Sequence, residues 1–341
     1  MHSHRGAQKS IVAVIGGESL LGREVSELLE SSGLPVSVQL VAAGASDDTA
    51  ILSRSEDEPI VIQALQMADL GSARVVILAG SHDAGRKAYE LLLSATPTPA
   101  VIDLSGGLED HPAARLRAPM AEPPGFEASK AIQEIAHPAA IALALFFTEL
   151  RNAGVIARSV VEIFEPVSER GQAGIDELQK QAVSLLSFKP LPKKVFDAQV
   201  SFNLLAAYGS DAPLSLEDIE LRIDRHLASL LAAGGAIPMP SLRLIQAPVF
   251  HGYSISAWVE FEDRPETGAL IETLQANRMI DVRTKEHEPP TNVGVAGQGG
   301  ITVGAITPDR NHPRAAWFWI VADNLRISAE NALEVAREFL K

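Results

Sequence analysis

Two histidines and a tyrosine are the side chains of this sequence best suited to moving a proton. His251 and Tyr253 stand two apart in an alternating run, so a strand would turn both to one face. His137 immediately precedes Pro138 at the start of an apolar helical stretch. If the helix start and the strand face each other, such a group would bind a carboxylate or relay protons without covalent chemistry; otherwise His137 caps the helix and His251 is a partly exposed strand residue, which is the reading preferred. The sequence has no cysteine, which excludes thiolate nucleophiles, thiolate metal ligands and disulfides. The histidines lack the i, i+4 pairing of a helical metal site, so no metal is expected. Ser105 and Ser168 are hydroxyl nucleophiles only if a base stands beside them, and the sequence shows none. A second constellation is Gly16-Gly17-Glu18-Ser19-Leu20-Leu21-Gly22. A glycine turn between a strand and a helix lets backbone amides approach a diphosphate.

The elements that must position these residues can be read from periodicity. Ile11 to Ile15 is a β-branched run, and Leu20 to Leu29 carries apolar residues at helical spacing. Further apolar runs at 36–43, 59–64, 74–80 and 100–104, with a helical pattern between the last two, predict strands alternating with helices in a parallel sheet. From about Val155 the pattern changes to long alternating segments, notably Leu242 to Phe261, with helical stretches at 175–186 and 216–233. Alternation of that kind predicts an antiparallel sheet covered on one face. A final helix is expected over Ser328 to Leu340, and Glu286 to Gly300 reads as a loop from its Pro and Gly content.

Composition sets limits. An apolar fraction of 46% with 21% charged residues over 341 residues is a globular mixture able to bury a core. No run approaches the roughly 18 apolar residues of a membrane helix, and the first ten residues lack the apolar segment of a signal peptide, so a cytoplasmic location and no membrane contact are expected. A formal charge of -14 repels nucleic acid, so none is expected as a partner.

His137-Pro138-Ala139-Ala140-Ile141-Ala142 resembles the nucleophile segment of the aspartate-semialdehyde dehydrogenase family, usually Asn-Pro-Asn-Cys-Thr. Pro138 matches, and Ala140 falls where the reactive cysteine stands. The resemblance spans nearly the whole chain and is greatest to the family's cysteine-lacking, USG-1-like branch. Gln246-Ala247-Pro248-Val249-Phe250-His251-Gly252-Tyr253-Ser254 is similar to the family's Arg-Val-Pro-Val-x-Arg-Gly-His-Ser, with Tyr253 at the base and Gln246 at the arginine that grips the substrate carboxylate. Glu165-Pro166-Val167-Ser168-Glu169-Arg170-Gly171 resembles Gln-Ala-Val-Ser-Gly-Ala-Gly, so the glutamine that orients the intermediate is Glu165. The resemblance also aligns Glu109 with a phosphate-binding arginine and Glu220 with a lysine. Trp317 to Arg326 matches Trp-Val-Val-Ala-Asp-Asn-Leu-Arg, which implies either that Asn324 touches a nicotinamide or that Asp323 caps the last helix.

The resemblance implies an α/β fold: a Rossmann-type dinucleotide-binding domain over 1–145 plus 325–341, and an inserted α+β, glyceraldehyde-3-phosphate-dehydrogenase-like dimerisation domain over 146–324. The cofactor would be NAD or NADP, held by Gly16, Gly17, Ser19, Leu20, Leu21, Gly22, Ala79, Gly80, Ser105 and Asn324. Two framework glycines of the family's Gly-Ala-Thr-Gly-x-Val-Gly survive, Ser19 replaces another, and Asp47 or Asp48 would favour NAD. Ser201-Phe202-Asn203-Leu204-Leu205 resembles a segment of the pairing domain, so a homodimer is expected. With nucleophile, base and clamps replaced, the expected function is a non-catalytic homologue. Two alternatives remain open: an NAD(P)-dependent oxidoreductase of amino-acid biosynthesis acting on an aldehyde without cysteine, and an acid–base enzyme using His137 and His251.

Overall fold

The computed structural model describes residues 9–43, 50–54, 58–65, 70–123, 132–235, 237–284 and 286–341. Asp47 and Asp48 lie outside them. The chain divides into two compact units: residues 1–119, 125–136 and 328–341, and residues 120–124 and 137–327. No helix among the described residues is long and apolar enough to cross a membrane.

The first unit is built on one sheet. Its strands are β1 (Ser10–Ile15), β2 (Val36–Ala42), β3 (Ala50–Arg54), β4 (Glu58–Ala64), β5 (Val75–Leu78), β6 (Ala100–Asp103), β7 (Ala114–Arg117) and β8 (Ile132–Ile135), in the order β3-β4-β2-β1-β5-β6-β8-β7. All neighbours are parallel except β3 and β4. Helices α1 (Leu20–Ser31) and α2 (His82–Leu92) follow β1 and β5. The central strands are apolar at consecutive positions, Val12 to Ile15 and Val75 to Leu78 being buried throughout, because both sheet faces are covered. This is the expected Rossmann-type sheet. The chain leaves β1 toward β2 in one direction and resumes at β5 on the other side, so the carboxyl ends of β1 and β5 form the topological switch point where such sheets bind ligands.

The second unit holds α3 (Pro138–Leu150), β9 (Ile156–Glu165), a 3-10 turn (Val167–Arg170), α4 (Gly171–Leu186), α5 (Leu216–Gly234), β10 (Ser241–Gln246), β11 (Tyr253–Phe261), α6 (Thr267–Gln275), β12 (Ile280–Val282), β13 (Ile301–Pro308), β14 (Ala315–Ala322) and the start of α7 (Asn324–Leu340). Its sheet order is β10-β9-β11-β14-β13-β12. The alternating segments predict an antiparallel sheet; the sheet is mixed, because β10 pairs parallel to β9 and β12 parallel to β13 at the two edges. Alternation reports which face is buried and carries no information on strand direction. The continuous strand expected from Leu242 to Phe261 is two strands, parted by residues 247–252, of which Gly252, at φ +81°, leads directly into β11.

One face of this sheet is core. Tyr253, Ile255, Ala257, Val259 and Phe261 are buried on it, and Phe318 stacks edge-on with Phe146 of α3 at 5.1 Å. Helix α3 is apolar on every side and buried from Ala139 to Phe147, as a helix enclosed by protein must be. The opposite face presents Val160, Trp258, Trp317 and Trp319, so all three tryptophans of the chain stand on it, with Trp317 43% exposed.

Candidate functional site

At the switch point of the first unit the glycine turn is closed by its own groups. Gly16 sits at φ +86°, and a Cβ there would lie 2.5 Å from Gly80 Cα; a Cβ on Gly22 would lie 2.0 Å from the Gly16 carbonyl oxygen. These glycines permit the turn to pack on β5 whether or not a ligand is present. Ser19 caps α1: its Oγ accepts from the Gly22 amide at 2.8 Å and donates to the Ala79 carbonyl at 2.8 Å. Glu18 Oε1 accepts from the Ala43 amide at 2.8 Å, which brings a carboxylate to the end of β2. Leu20 and Leu21 form the first turn of α1 and are half-buried. Ser105 is folded inward, with its amide and hydroxyl both on Asp103 Oδ1 at 2.7 and 2.6 Å. Its Oγ lies where a Cβ on Gly85 of α2 would come within 2.4 Å, so Ser105 is a packing element of this loop. Glu109 lies half-buried in the turn after β6.

In the second unit the structure gathers a buried polar cluster, only part of which was expected. Glu165 ends β9 fully buried. Arg170, from the 3-10 turn beyond it, places Nη2 3.4 Å from Glu165 Oε1. Tyr208 Oη lies 3.1 Å from Glu165 Oε2 and 2.5 Å from Gln246 Oε1, and Tyr253 Oη is 3.5 Å from Glu165 Oε1. Gln246 Nε2 donates to the carbonyls of Glu165 and Ala247 at 2.8 and 3.1 Å. Glu169 accepts from Asn324 Nδ2 at 2.8 Å, while Asn324 Oδ1 accepts from the Gly252 amide and from Ser168 Oγ. Burial, with Glu169 nearby, raises Glu165 to about 7 from the usual 4.5 against the opposing pull of Arg170. Burial likewise raises Glu169, and it pushes the Tyr253 phenol well above its ordinary range, with the charges of Glu169 and Glu165 adding to the effect.

His137 caps α3, its Nδ1 accepting from the Ala139 amide at 3.3 Å, and its own amide donates to His226 Nδ1 at 2.9 Å. Donor atoms of His137, Glu165 and Glu169 lie within 4.8 Å of one another. An Nδ1 that accepts a hydrogen bond leaves the ring proton on Nε2, which points it as a donor toward Glu169 at 4.0 Å. That tautomer offers no Nε2 lone pair to a cation, and at 4.0 Å its contact with Glu169 is a close approach beyond hydrogen-bond range. The expected pairing of His251 with Tyr253 fails: His251 lies in the bend before β11, which begins at Tyr253, and strand alternation does not reach it. His137 instead faces Tyr253, with ring centroids 6.1 Å apart. Ala140 is fully buried on α3. Glu220 Oε2 is engaged by the Leu244 amide at 2.6 Å, and Asp323 Oδ1 caps α7 through the amides of Leu325 and Arg326, each at 3.0 Å.

Residues 148–327 match the family model described as semialdehyde dehydrogenase, dimerisation domain. The chain belongs to the semialdehyde dehydrogenase family. It is 29% identical to a USG-1 protein homologue of Pseudomonas aeruginosa, over 93% of this chain and 94% of that one. It is 27% identical to an aspartate-semialdehyde dehydrogenase of Rickettsia bellii, over 98% of each. A solved structure of a probable aspartate-semialdehyde dehydrogenase from Pseudomonas aeruginosa superposes with a TM-score of 0.85 at 27% identity, covering 98% of this chain and 99% of that one. Set against the wording it resembles, this heptapeptide departs at four positions, three of which, Glu165, Glu169 and Arg170, bring charge, and Glu165 and Arg170 touch each other. Tyr208 and His226 had no motif to mark them, and Arg170 lay in a quoted motif without being singled out; the signal available was an arginine in the same short segment as two new acids.

Proposed function

We propose that this protein is a dimeric, USG-1-like semialdehyde dehydrogenase homologue that does not carry out thiol-based aldehyde chemistry. The observation carrying the reading is the pair Ala140 and Tyr253. A buried methyl group stands at the nucleophile position and a buried phenol, poorer still as a base than a free one, at the base position. Gln246 supports the same reading, because its amide is consumed by Glu165, Ala247 and Tyr208 and has no charge to grip a carboxylate. Purified protein supplied with aspartate semialdehyde, phosphate and NADP is expected to show no turnover above host background, and Ala140→Cys to show none either. Catalytic groups that act as a unit do not regain rate one at a time. Substantial turnover by either protein would overturn the proposal.

The self-capped turn in the first unit supports an empty nucleotide site, since Ser19 Oγ uses the Gly22 amide and Glu18 brings negative charge. Calorimetric titration with NAD and with NADP is expected to be silent at millimolar concentrations, the weak end of ordinary specific binding (~1 mM). Saturable heat with either would favour the cysteine-free oxidoreductase reading instead. Pairing through the second unit is supported by the dimerisation-domain match and by the open sheet face carrying Val160, Trp258 and Trp317. Sedimentation velocity is expected to give a dimer; a monomer at micromolar concentration (~1 µM) would refute this part.

A further inference from the structure

The hydrogen-bond geometry around Tyr208 leaves one proton unaccounted for. Gln246 Nε2 faces two carbonyl oxygens, those of Glu165 and Ala247, so its amide cannot be flipped and Oε1 is a pure acceptor. Tyr208 Oη lies 2.5 Å from that acceptor and has a single proton, which must go there. Its second contact, 3.1 Å to Glu165 Oε2, then sets two oxygen lone pairs against each other unless Glu165 supplies a hydrogen. We propose that Glu165 is held as a neutral carboxylic acid, donating to Tyr208, and that this proton operates a latch holding the Tyr208 segment against the sheet.

The charges around Glu165 fit that assignment. From the 3-10 turn come Glu169 and Arg170, from β11 Tyr253, from the head of α3 His137, and Arg222 of α5 acts on Glu169. With Glu165 neutral, one largely buried carboxylate, Glu169, faces Arg170 and is drawn by Arg222 as well. With it ionised, a second and fully buried carboxylate is added beside Arg170, and burial disfavours the arrangement. Tyr208 also forms part of the wall of a cavity of about 580 Å³, lined as well by Ser215, Glu217, Glu220 and Arg243. Loss of the Glu165 proton removes one of the two hydrogen bonds of Tyr208 Oη and leaves that to Gln246, so the cavity wall becomes sensitive to pH through a group that does not line it.

The test is carboxyl-carbon NMR of the full-length protein with labelled glutamate, the Glu165 signal being assigned by its loss in Glu165→Gln. A titration midpoint near neutrality is expected; a midpoint in the ordinary carboxylate range, about 4, would overturn the assignment. Tyr208→Phe separates the two hydrogen-bond directions. If Glu165 donates to Tyr208, removing the acceptor lowers the midpoint. If Tyr208 donated to an ionised Glu165, the same change would raise it, and a rise or no change refutes the latch. In the wild type, intrinsic-rate-corrected exchange protection of the Gly209 amide, which bonds the Phe196 carbonyl, is expected to fall about tenfold as Glu165 ionises, and to stay level in Glu165→Gln. Equal behaviour of the two proteins would leave Glu165 without a latching role and overturn the proposal.

Discussion

Replacing Arg170 with methionine is expected to destabilise the protein by about 3 to 5 kcal/mol, the usual cost of removing one partner from a buried ionic group. Arg170 is 11% exposed and Glu165 fully buried. Burial works against the charge of Arg170, yet its acidic neighbours, of which Glu169 is the one left ionised while Glu165 holds its proton, more than offset it. Without the guanidinium, Glu169 keeps Asn324 as a donor but loses the nearest positive charge, and Glu165 can ionise only against an uncompensated carboxylate. The informative companion is the variant Glu165→Gln, Glu169→Gly, Arg170→Ala, which restores the family wording at the three positions. Removing the charges together leaves none stranded, so this triple variant should lose less stability than Arg170→Met alone, a strongly non-additive outcome. Urea unfolding followed by tryptophan fluorescence measures both. A single-variant loss below about 1 kcal/mol, the range of exposed pairs, would mean that the Arg170 charge is effectively solvated.

Much of this was legible in the sequence, and what escaped did so for identifiable reasons. The parallel sheet of the first unit followed from strand and helix alternation, and the glycine turn was located because only glycine tolerates contacts such as that at Gly16. The absence of a thiol at position 140 was readable as a single letter. The placing of His251 was not, because alternation assumes an unbroken strand and the chain leaves the sheet from residue 247 to residue 252. Asp323 as the α7 cap was one of the two readings the Trp317 to Arg326 match left open, whereas the bonds of Asn324 to Gly252, Ser168 and Glu169 join three distant stretches of chain and have no local signature. Tyr208 illustrates the general limit. It stands in an irregular segment with no periodicity, and its importance comes entirely from Glu165 and Gln246, 43 and 38 residues away.

The same cluster fixes how stability depends on pH. Glu165 titrates at about 7 in the folded protein against 4.5 for an ordinary glutamate, so between those values the folded state binds more protons than the unfolded one. Stability therefore falls as pH rises through this window, by about 1.4 kcal/mol per unit for each proton of difference. The interval of 7 − 4.5 = 2.5 units gives a loss of about 3 kcal/mol from Glu165, fully retained below 4.5 and complete once pH exceeds 7. Glu169, raised in the same direction, adds to the slope. Glu165→Gln keeps the shape of the neutral acid and cannot ionise, so its unfolding free energy should decline less steeply, by about one proton across the window, with Glu169 supplying what remains. Urea unfolding of both proteins from about pH 4.5 to about pH 8 gives the two slopes directly. Parallel curves would mean that Glu165 ionises as readily in the folded chain as in the unfolded one. Its contact with Arg170 would then outweigh the cost of burial, and the neutral acid beside Tyr208 would have no thermodynamic basis.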